Sequence, residues 1–259
     1  MLQITAIPAF SDNYQWLLEE ADTAFAWVVD PGDANSILQV LKKKQKSLKA
    51  ILITHHHWDH VDGIAKLLAH YPNIPVFGPQ QESIAGLNRP LQQGEQVQLP
   101  ESQQVFTVLD TPGHTLGHIT YYTPGLLFCG DTLFACGCGR VFEGTMAQMQ
   151  QSLAKLRDLP DETLVYCAHE YTLDNIGFAK WVEPDNADLL TREISVQEQR
   201  KQGKATVPSL LSLEKQTNPF LRFDKSSVIQ AAESYAGKAL NRPAEVFAAL
   251  RQWKDREYD

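Results

Sequence analysis

The sequence predicts a mixed α/β domain followed by a smaller helical one, on three observations. Over roughly the first two-thirds of the chain, short apolar or alternating stretches recur, broken by Gly, Pro and Asp. Patterns with apolar residues at helical spacing fall between those stretches. After about residue 171 the strand signals nearly vanish and amphipathic helical patterns take over.

The elements follow in chain order. "LQITAIP", "QWLLEE" and "FAWVVD" are predicted strands, and Asp12-Asn13 in "FSDNYQW" reads as the turn joining the first two, with no catalytic part assigned to it. "SILQVLKKK" places lysines near its C-terminal end, where they suit the helix dipole, so a helix is predicted over 33–45. "KAILIT" is the next strand, and a helix over 62–70 follows it closely. "VFTVLD", "HITYYT" and "GLLFCG" are strands, and the pattern over 145–158 is helical. Beyond the strand in "LVYCAHEY", "ADLLTREISVQEQRKQ" and "PAEVFAALRQWKDREY" read as amphipathic helices joined by a loop containing "TVPSL" and "TNPFLRF". No repeat of fixed period and no low-complexity tract is visible.

With 259 residues, 43% of them hydrophobic, the chain can bury a sizeable core. Its net charge of −8 argues against a general nucleic-acid or anionic-membrane binder. Any small anionic substrate must then be attracted by a local cluster of cations. "MLQITAIPAF" lacks the basic start and long apolar run of a signal peptide, and no stretch approaches the roughly 18 apolar residues of a membrane helix. Cys129, Cys136, Cys138 and Cys167 form no disulfide-like framework. "CGC" at 136–138 can be read as a soft-metal site, but small, partly buried thiols in a reducing cytoplasm are the expected reading.

Four of the eight histidines lie in "THHHWDH", residues 54–60, where the strand "KAILIT" ends. In an extended stretch His55, His57 and Asp59 project to one side, while His56 and Trp58 project to the other. His60, at the turn into the next helix, can swing back toward the first side. His114 follows "VFTVLD", Asp131 ends "GLLFCG" and His169 follows the strand in "LVYCAHEY". Each thus terminates an apolar strand, so all could gather at one sheet edge. Five histidines and two aspartates suffice for two divalent metals if one carboxylate bridges. Singly, His114 or His169 could be structural and Asp131 a turn residue; together with the crowded motif they indicate a metal site.

"THHHWDH" fits the T-H-x-H-x-D-H signature of the metallo-β-lactamase superfamily, and "GHTLGH", "GDTLF", "CAHEYT" and the tail with "NPFLR" resemble glyoxalase II, the hydroxyacylglutathione hydrolases. The resemblance extends over essentially the whole chain. It implies a metallo-β-lactamase-like αββα sandwich over 1–170, and a smaller C-terminal helical, substrate-binding domain over 171–259. It implies that His55, His57 and His114 hold one metal, that Asp59, His60 and His169 hold the second, and that Asp131 bridges them. The expected metals are two divalent ions, zinc first, with iron or manganese also suited to these ligands. His56 and Trp58 become support residues packed under the loop, His118 a strand or supporting residue, and His70 a surface residue closing a helix.

Such a pair can share a water, whose pKa falls from about 15.7 to about 7, giving a hydroxide held by Asp131 and the two metals. Asp59 is a ligand with orientation of that hydroxide as an additional role. Attack on a thioester carbonyl needs no strong protein acid, because the departing thiol has a pKa of about 8.5. The resemblance implies S-(2-hydroxyacyl)glutathione substrates, above all S-D-lactoylglutathione, hydrolysed to D-lactate and glutathione in methylglyoxal detoxification. It places the glutathione moiety on Arg140, Tyr171, Arg251 and Lys254, with Asn175 assisting near that wall. On spacing alone, Arg251 and Lys254 read as a solvated helix face. Where many relatives carry Lys and then an aromatic pair, this chain has Arg140, Val141 and Phe142, so no hydroxyl stands at 142. The alternative is an oxidoreductase of the same fold, such as an iron-dependent glutathione-persulfide dioxygenase. A monomeric cytoplasmic enzyme with no nucleic-acid or membrane partner is expected.

Overall fold

A computed structural model of the chain describes residues 2–258. These fall into two compact units. The first comprises the chain up to Asp110 with Gly117–Thr123 and Leu127–Gly130. The second comprises Thr111–Leu116, Pro124–Leu126 and the chain from Asp131 onward.

A hairpin opens the first unit. Strands β1 (Leu2–Ala9) and β2 (Asn13–Glu20) pair antiparallel from Leu2 against Glu20 to Ala9 against Asn13, so the turn lies at residues 10–12. β3 (Phe25–Val29) follows, and α1 (Ala34–Lys44) starts on Asp33, whose carboxylate accepts the N–H groups of Asn35 and Ser36. Lys42, Lys43 and Lys44 occupy its last turn, as the helix dipole favours. β4 (Ser47–Leu52) runs parallel to β3, because the α1 crossover returns the chain to the same edge. Helices α2 (Trp58–Val61) and α3 (Ile64–His70) come next, and then β5 (Val76–Pro79) and β6 (Arg89–Leu91) extend the sheet in the order β1-β2-β3-β4-β5-β6. Ile7, Leu17, Val28 and Ile51 pack with Ile37 and Leu41 of α1 and Ile64 and Leu67 of α3. Trp27, of opposite parity to Val28 on β3, is equally buried, so this strand is covered on both faces. The remaining strands of this unit are β7 (Gln96–Gln98), β8 (Val105–Asp110), β9 (Ile119–Thr123) and β10 (Leu126–Gly130), lying in the order β10-β9-β8-β7. Trp27 donates its indole N–H to the Pro100 carbonyl at 3.0 Å, and Tyr121 of β9 donates its hydroxyl to the Ile53 carbonyl at 2.8 Å.

In the second unit a two-residue-strand hairpin, β11 (Leu133–Phe134) with β12 (Gly137–Cys138), precedes α4 (Met146–Arg157), which begins in a reciprocal capping box between Thr145 and Gln148. β13 (Leu164–Cys167) leads to α5 (Thr172–Val182) and α6 (Ala187–Lys201). The segment read as one loop holds more than a loop: β14 (Ser209–Leu210), which pairs with β13, then α7 (Leu211–Thr217) and α8 (Ser226–Ala236). The prolines that punctuate it fall between these short elements rather than spanning one long connection. α9 (Pro243–Trp253) carries Pro at its first turn and buries Val246, Phe247, Ala249, Leu250 and Arg251. A π-helical turn, Lys254–Tyr258, follows it directly.

Candidate metal centre

In the first unit, strand β4 ends at Leu52 and the chain runs through Thr54–His57 into α2. His55 is fully buried. Thr54 Oγ1 donates to Asp30 Oδ2 at 2.7 Å, so it can only accept from His55 Nδ1, 3.0 Å away. That assigns the lone pair to His55 Nε2, which lies 3.0 Å from Nδ1 of His57. Two imidazole nitrogens on one tetrahedral zinc at about 2.1 Å stand about 3.4 Å apart, close to this spacing. The buried His60 has Nδ1 at 3.0 Å from Asp30 Oδ2 and Nε2 at 3.5 Å from Asp59 Oδ2. Asn13 donates its amide to Asp59 Oδ2 at 2.8 Å.

Among the other residues of the motif, His56 lies 3.0 Å from Glu82. Trp58 is not packed under the loop. It is 59% exposed and meets Phe10 edge to face at 4.9 Å, because α2 begins at Trp58 and turns that side chain outward. His118 is buried and stacks on His55, ring centroids 4.8 Å apart. His70 closes α3 with Nδ1 against the Lys66 carbonyl.

In the second unit, the Asp131 carboxylate lies between two imidazoles. Its Oδ2 is 3.4 Å from His114 Nε2 and 3.4 Å from His169 Nε2. The other nitrogen of His114, Nδ1, donates to the Arg140 carbonyl at 2.8 Å, so the lone pair lies on Nε2, the atom that faces Asp131. Gly139 makes this close approach possible: a Cβ there would lie 2.0 Å from the Asp131 carbonyl oxygen. The His and Asp groups of this fold fit a binuclear metal site.

Asp131 and His114 also line a cavity of about 450 Å³ within the second unit, together with Arg140, Tyr171, Arg251 and Lys254. Arg251 is 1% exposed and Lys254 5%, so neither belongs to a solvated helix face. Arg251 donates to the Cys138 carbonyl at 3.2 Å and pairs with Asp255 at 2.8 Å. Lys254 donates to Asp174 at 3.0 Å. The half-exposed Arg140 lies 3.9 Å from Asp255. Tyr171 stacks parallel on His169 at 4.7 Å, and Phe142, exposed, tilts against His114 at 5.3 Å. Asn175 is buried, donating to the Ala135 carbonyl behind the β11–β12 hairpin while lining the cavity.

That hairpin rests on a buried ion pair. Glu214 accepts from Arg192, from Ser209 and Asn218, and from the Cys136 backbone N–H at 2.7 Å. Burial pushes the Cys136 thiol up to about 12 and the Cys138 thiol up to about 11, the latter in spite of the Arg251 guanidinium beside it.

Three contributors lie outside the residues expected from sequence. Asp30, ending the apolar strand "FAWVV", occupies the same kind of strand-end position as Asp131, and that rule could have found it. Asn13 and Glu214 leave no such signal, since each meets its partner across 46 and 78 residues of chain respectively.

Comparison with known proteins matches residues 10–169 to the metallo-beta-lactamase superfamily and residues 170–257 to the hydroxyacylglutathione hydrolase C-terminus. The chain is 51% identical over 255 residues to the hydroxyacylglutathione hydrolase of Nitrosomonas eutropha, covering 98% of this chain and 99% of that protein. It is 52% identical over 256 residues to that of Photobacterium profundum, with the same two coverages. Among solved structures, ETHE1 from Myxococcus xanthus superposes with a TM-score of 0.65 at 26% identity, over 96% of each chain. The BLEG-1 B3 metallo-beta-lactamase, at 22% identity and TM-score 0.64 over 85% of this chain and 99% of that one, shares the fold. Full-length identity of this order, with both halves matched in sequence order, shows that the chain belongs to the hydroxyacylglutathione hydrolase family of the metallo-β-lactamase superfamily.

Proposed function

We propose that the protein hydrolyses S-(2-hydroxyacyl)glutathione thioesters, S-D-lactoylglutathione above all, to D-lactate and glutathione, serving methylglyoxal detoxification as a cytoplasmic monomer. The observation that carries this reading is a single cavity lined both by a histidine and an aspartate of the ligand set and by three cations, in a chain of net charge −8. The relatives' hydrolase names over nearly the full chain support thioester hydrolysis over an oxidoreductase. In this reading residues 1–170 form the catalytic part and 171–259 the substrate-binding part.

The ligand sets are those the resemblance implies: His55, His57 and His114 for one ion, Asp59, His60 and His169 for the other, and Asp131 shared. Asp131 is supported as the shared ligand by its one oxygen standing equidistant from two imidazoles. Held by these residues, two divalent ions, zinc in our reading, would supply Lewis acidity and activation of water at neutral pH. The side chains do the rest. Thr54 and the Arg140 carbonyl fix the tautomers of His55 and His114, so each of these imidazoles offers Nε2 without reorganisation. Arg140, Arg251 and Lys254 attract the peptide carboxylates of glutathione, and the half-exposed Tyr171 contributes its hydroxyl beside them. Phe142 adds apolar contact only. The departing thiol, with a pKa of about 8.5, leaves as thiolate without a protein acid.

The test is an anaerobic assay of metal-loaded protein against S-D-lactoylglutathione, reading thioester loss and thiol release together. Stoichiometric release of D-lactate and glutathione is expected. An absolute oxygen requirement, or no cleavage by fully loaded protein, would sink the reading.

A further inference from the structure

We propose that Tyr258 is a positioning residue for the glutathione moiety: it docks the C-terminal turn on α5 and thereby places Lys254 in the cavity wall. The proposal rests on the glutathione-thioester reading above.

A lysine just past the last turn of a C-terminal helix would ordinarily extend into water. Lys254 does not: its own backbone is still α-helical, but it is 5% exposed and its Nζ turns back to the Asp174 carboxylate of α5. The turn Lys254–Tyr258 is π-helical, a rare local arrangement that re-aims the side chains it carries. Its far end is pinned by one residue. Tyr258 donates its hydroxyl to the Asp174 carbonyl at 2.9 Å, while the carboxylate of the same Asp174 accepts Lys254 Nζ at 3.0 Å. Lys254 Nζ also stands over the Tyr258 ring, 5.2 Å from its centroid. The ring itself sits edge to face against Trp181 at 5.0 Å and against Phe178 at 5.7 Å.

The α5 surface is shaped for this docking. A Cβ at Gly177 would lie 1.9 Å from the Tyr258 hydroxyl oxygen, so any other residue there would displace the tyrosine. The same turn carries Asp255, which pairs with Arg251 at 2.8 Å. Two cavity cations therefore depend on a turn that Tyr258 holds down, although Tyr258 does not line the cavity itself.

The experiment compares wild type, Tyr258→Ala, Tyr258→Phe and Gly177→Ala, all metal-loaded, on two lactoyl thioesters: that of glutathione and that of N-acetylcysteamine, which has no carboxylate. For Tyr258→Ala, KM for the glutathione thioester should rise about tenfold with kcat within about twofold, while the N-acetylcysteamine thioester is unaffected. The ratio of the two kcat/KM values then falls about tenfold. Gly177→Ala should reproduce that fall, and Tyr258→Phe, which keeps the ring, should show about a threefold one. If Tyr258→Ala does not fold, the other two variants are read for the same ratio. An unchanged ratio, or equal losses on both thioesters, overturns the positioning role. A wild type that shows no preference for the glutathione thioester overturns the substrate reading, and this proposal with it.

Discussion

Replacing Glu214 with alanine tests how the cavity wall is supported. Glu214 and Arg192 are both buried, and the carboxylate also holds the Cys136 N–H at the tip of the β11–β12 hairpin. Burial works against the Arg192 charge, but the neighbouring Glu214 offsets that and keeps the guanidinium above its usual range. Removing one partner of a buried pair costs about 3–5 kcal/mol, because the other charge stays in the interior uncompensated. The Cys136 N–H loses its acceptor at the same time, a further cost of about 1–3 kcal/mol that partly overlaps the first. Taking about 4 kcal/mol, a chain of this length should lose about 8–16 °C in Tm. Replacing the pair with apolar residues, Arg192→Met with Glu214→Leu, should recover about half of that loss. Thermal melts followed by circular dichroism on metal-loaded protein measure both. A single-variant shift under about 3 °C, or a double variant less stable than the single, would refute the reasoning.

Two further outcomes are expected. Asp131→Ala should lower the content of both metals, which elemental analysis of purified protein reads directly, and stoichiometric loading would remove Asp131 as the shared ligand. Glu183 is paired with Arg222 at 2.6 Å and with Ser227. Burial opposes its charge, but these partners prevail and hold its carboxyl below the ordinary 4.5. A carboxylate depressed in the folded state stabilises it above the unfolded pKa and loses that contribution as pH falls through the folded one. Glu183→Gln should therefore lower the urea midpoint at pH 7, with the gap to wild type closing below about pH 4.5. A gap independent of pH would show that the charge is immaterial there.

Much of the site could be read locally because its chemistry is local. The ends of apolar strands pointed to His114, Asp131 and His169, which the fold brings together, whereas the expected extended alternation stops at His57, because α2 begins at Trp58 and carries Asp59 and His60. The helix over 33–45 was readable because its apolar residues recur at helical spacing and its lysines mark the C-terminal end; the Asp33 cap is added by the structure. Where the partner is distant in sequence, no pattern announces it. Asn13 sits in an ordinary turn sequence, and only the closure of the first unit brings its amide to Asp59. Alternation likewise assigned Trp58 to the side opposite the ligands without saying that this side is solvent. The segment between the last two expected helices was misread as one loop: α7 spans only seven residues, and α8, though as long as α9, buries only Val228 and Ala232 fully and has no side-chain cap or charged turn to mark its ends.

Position 140 serves two masters with separate atoms. Its carbonyl clamps His114, while its side chain belongs to the cavity wall. Side-chain chemistry can therefore be exchanged at this position, changing the charge of the cavity wall, without moving the imidazole. Chain length around it cannot change so freely, because a residue inserted or lost between Gly139 and Phe142 would withdraw the carbonyl and release the histidine. The cavity wall at this position is open to revision by substitution, and the geometry of His114 is insulated from that revision by the backbone.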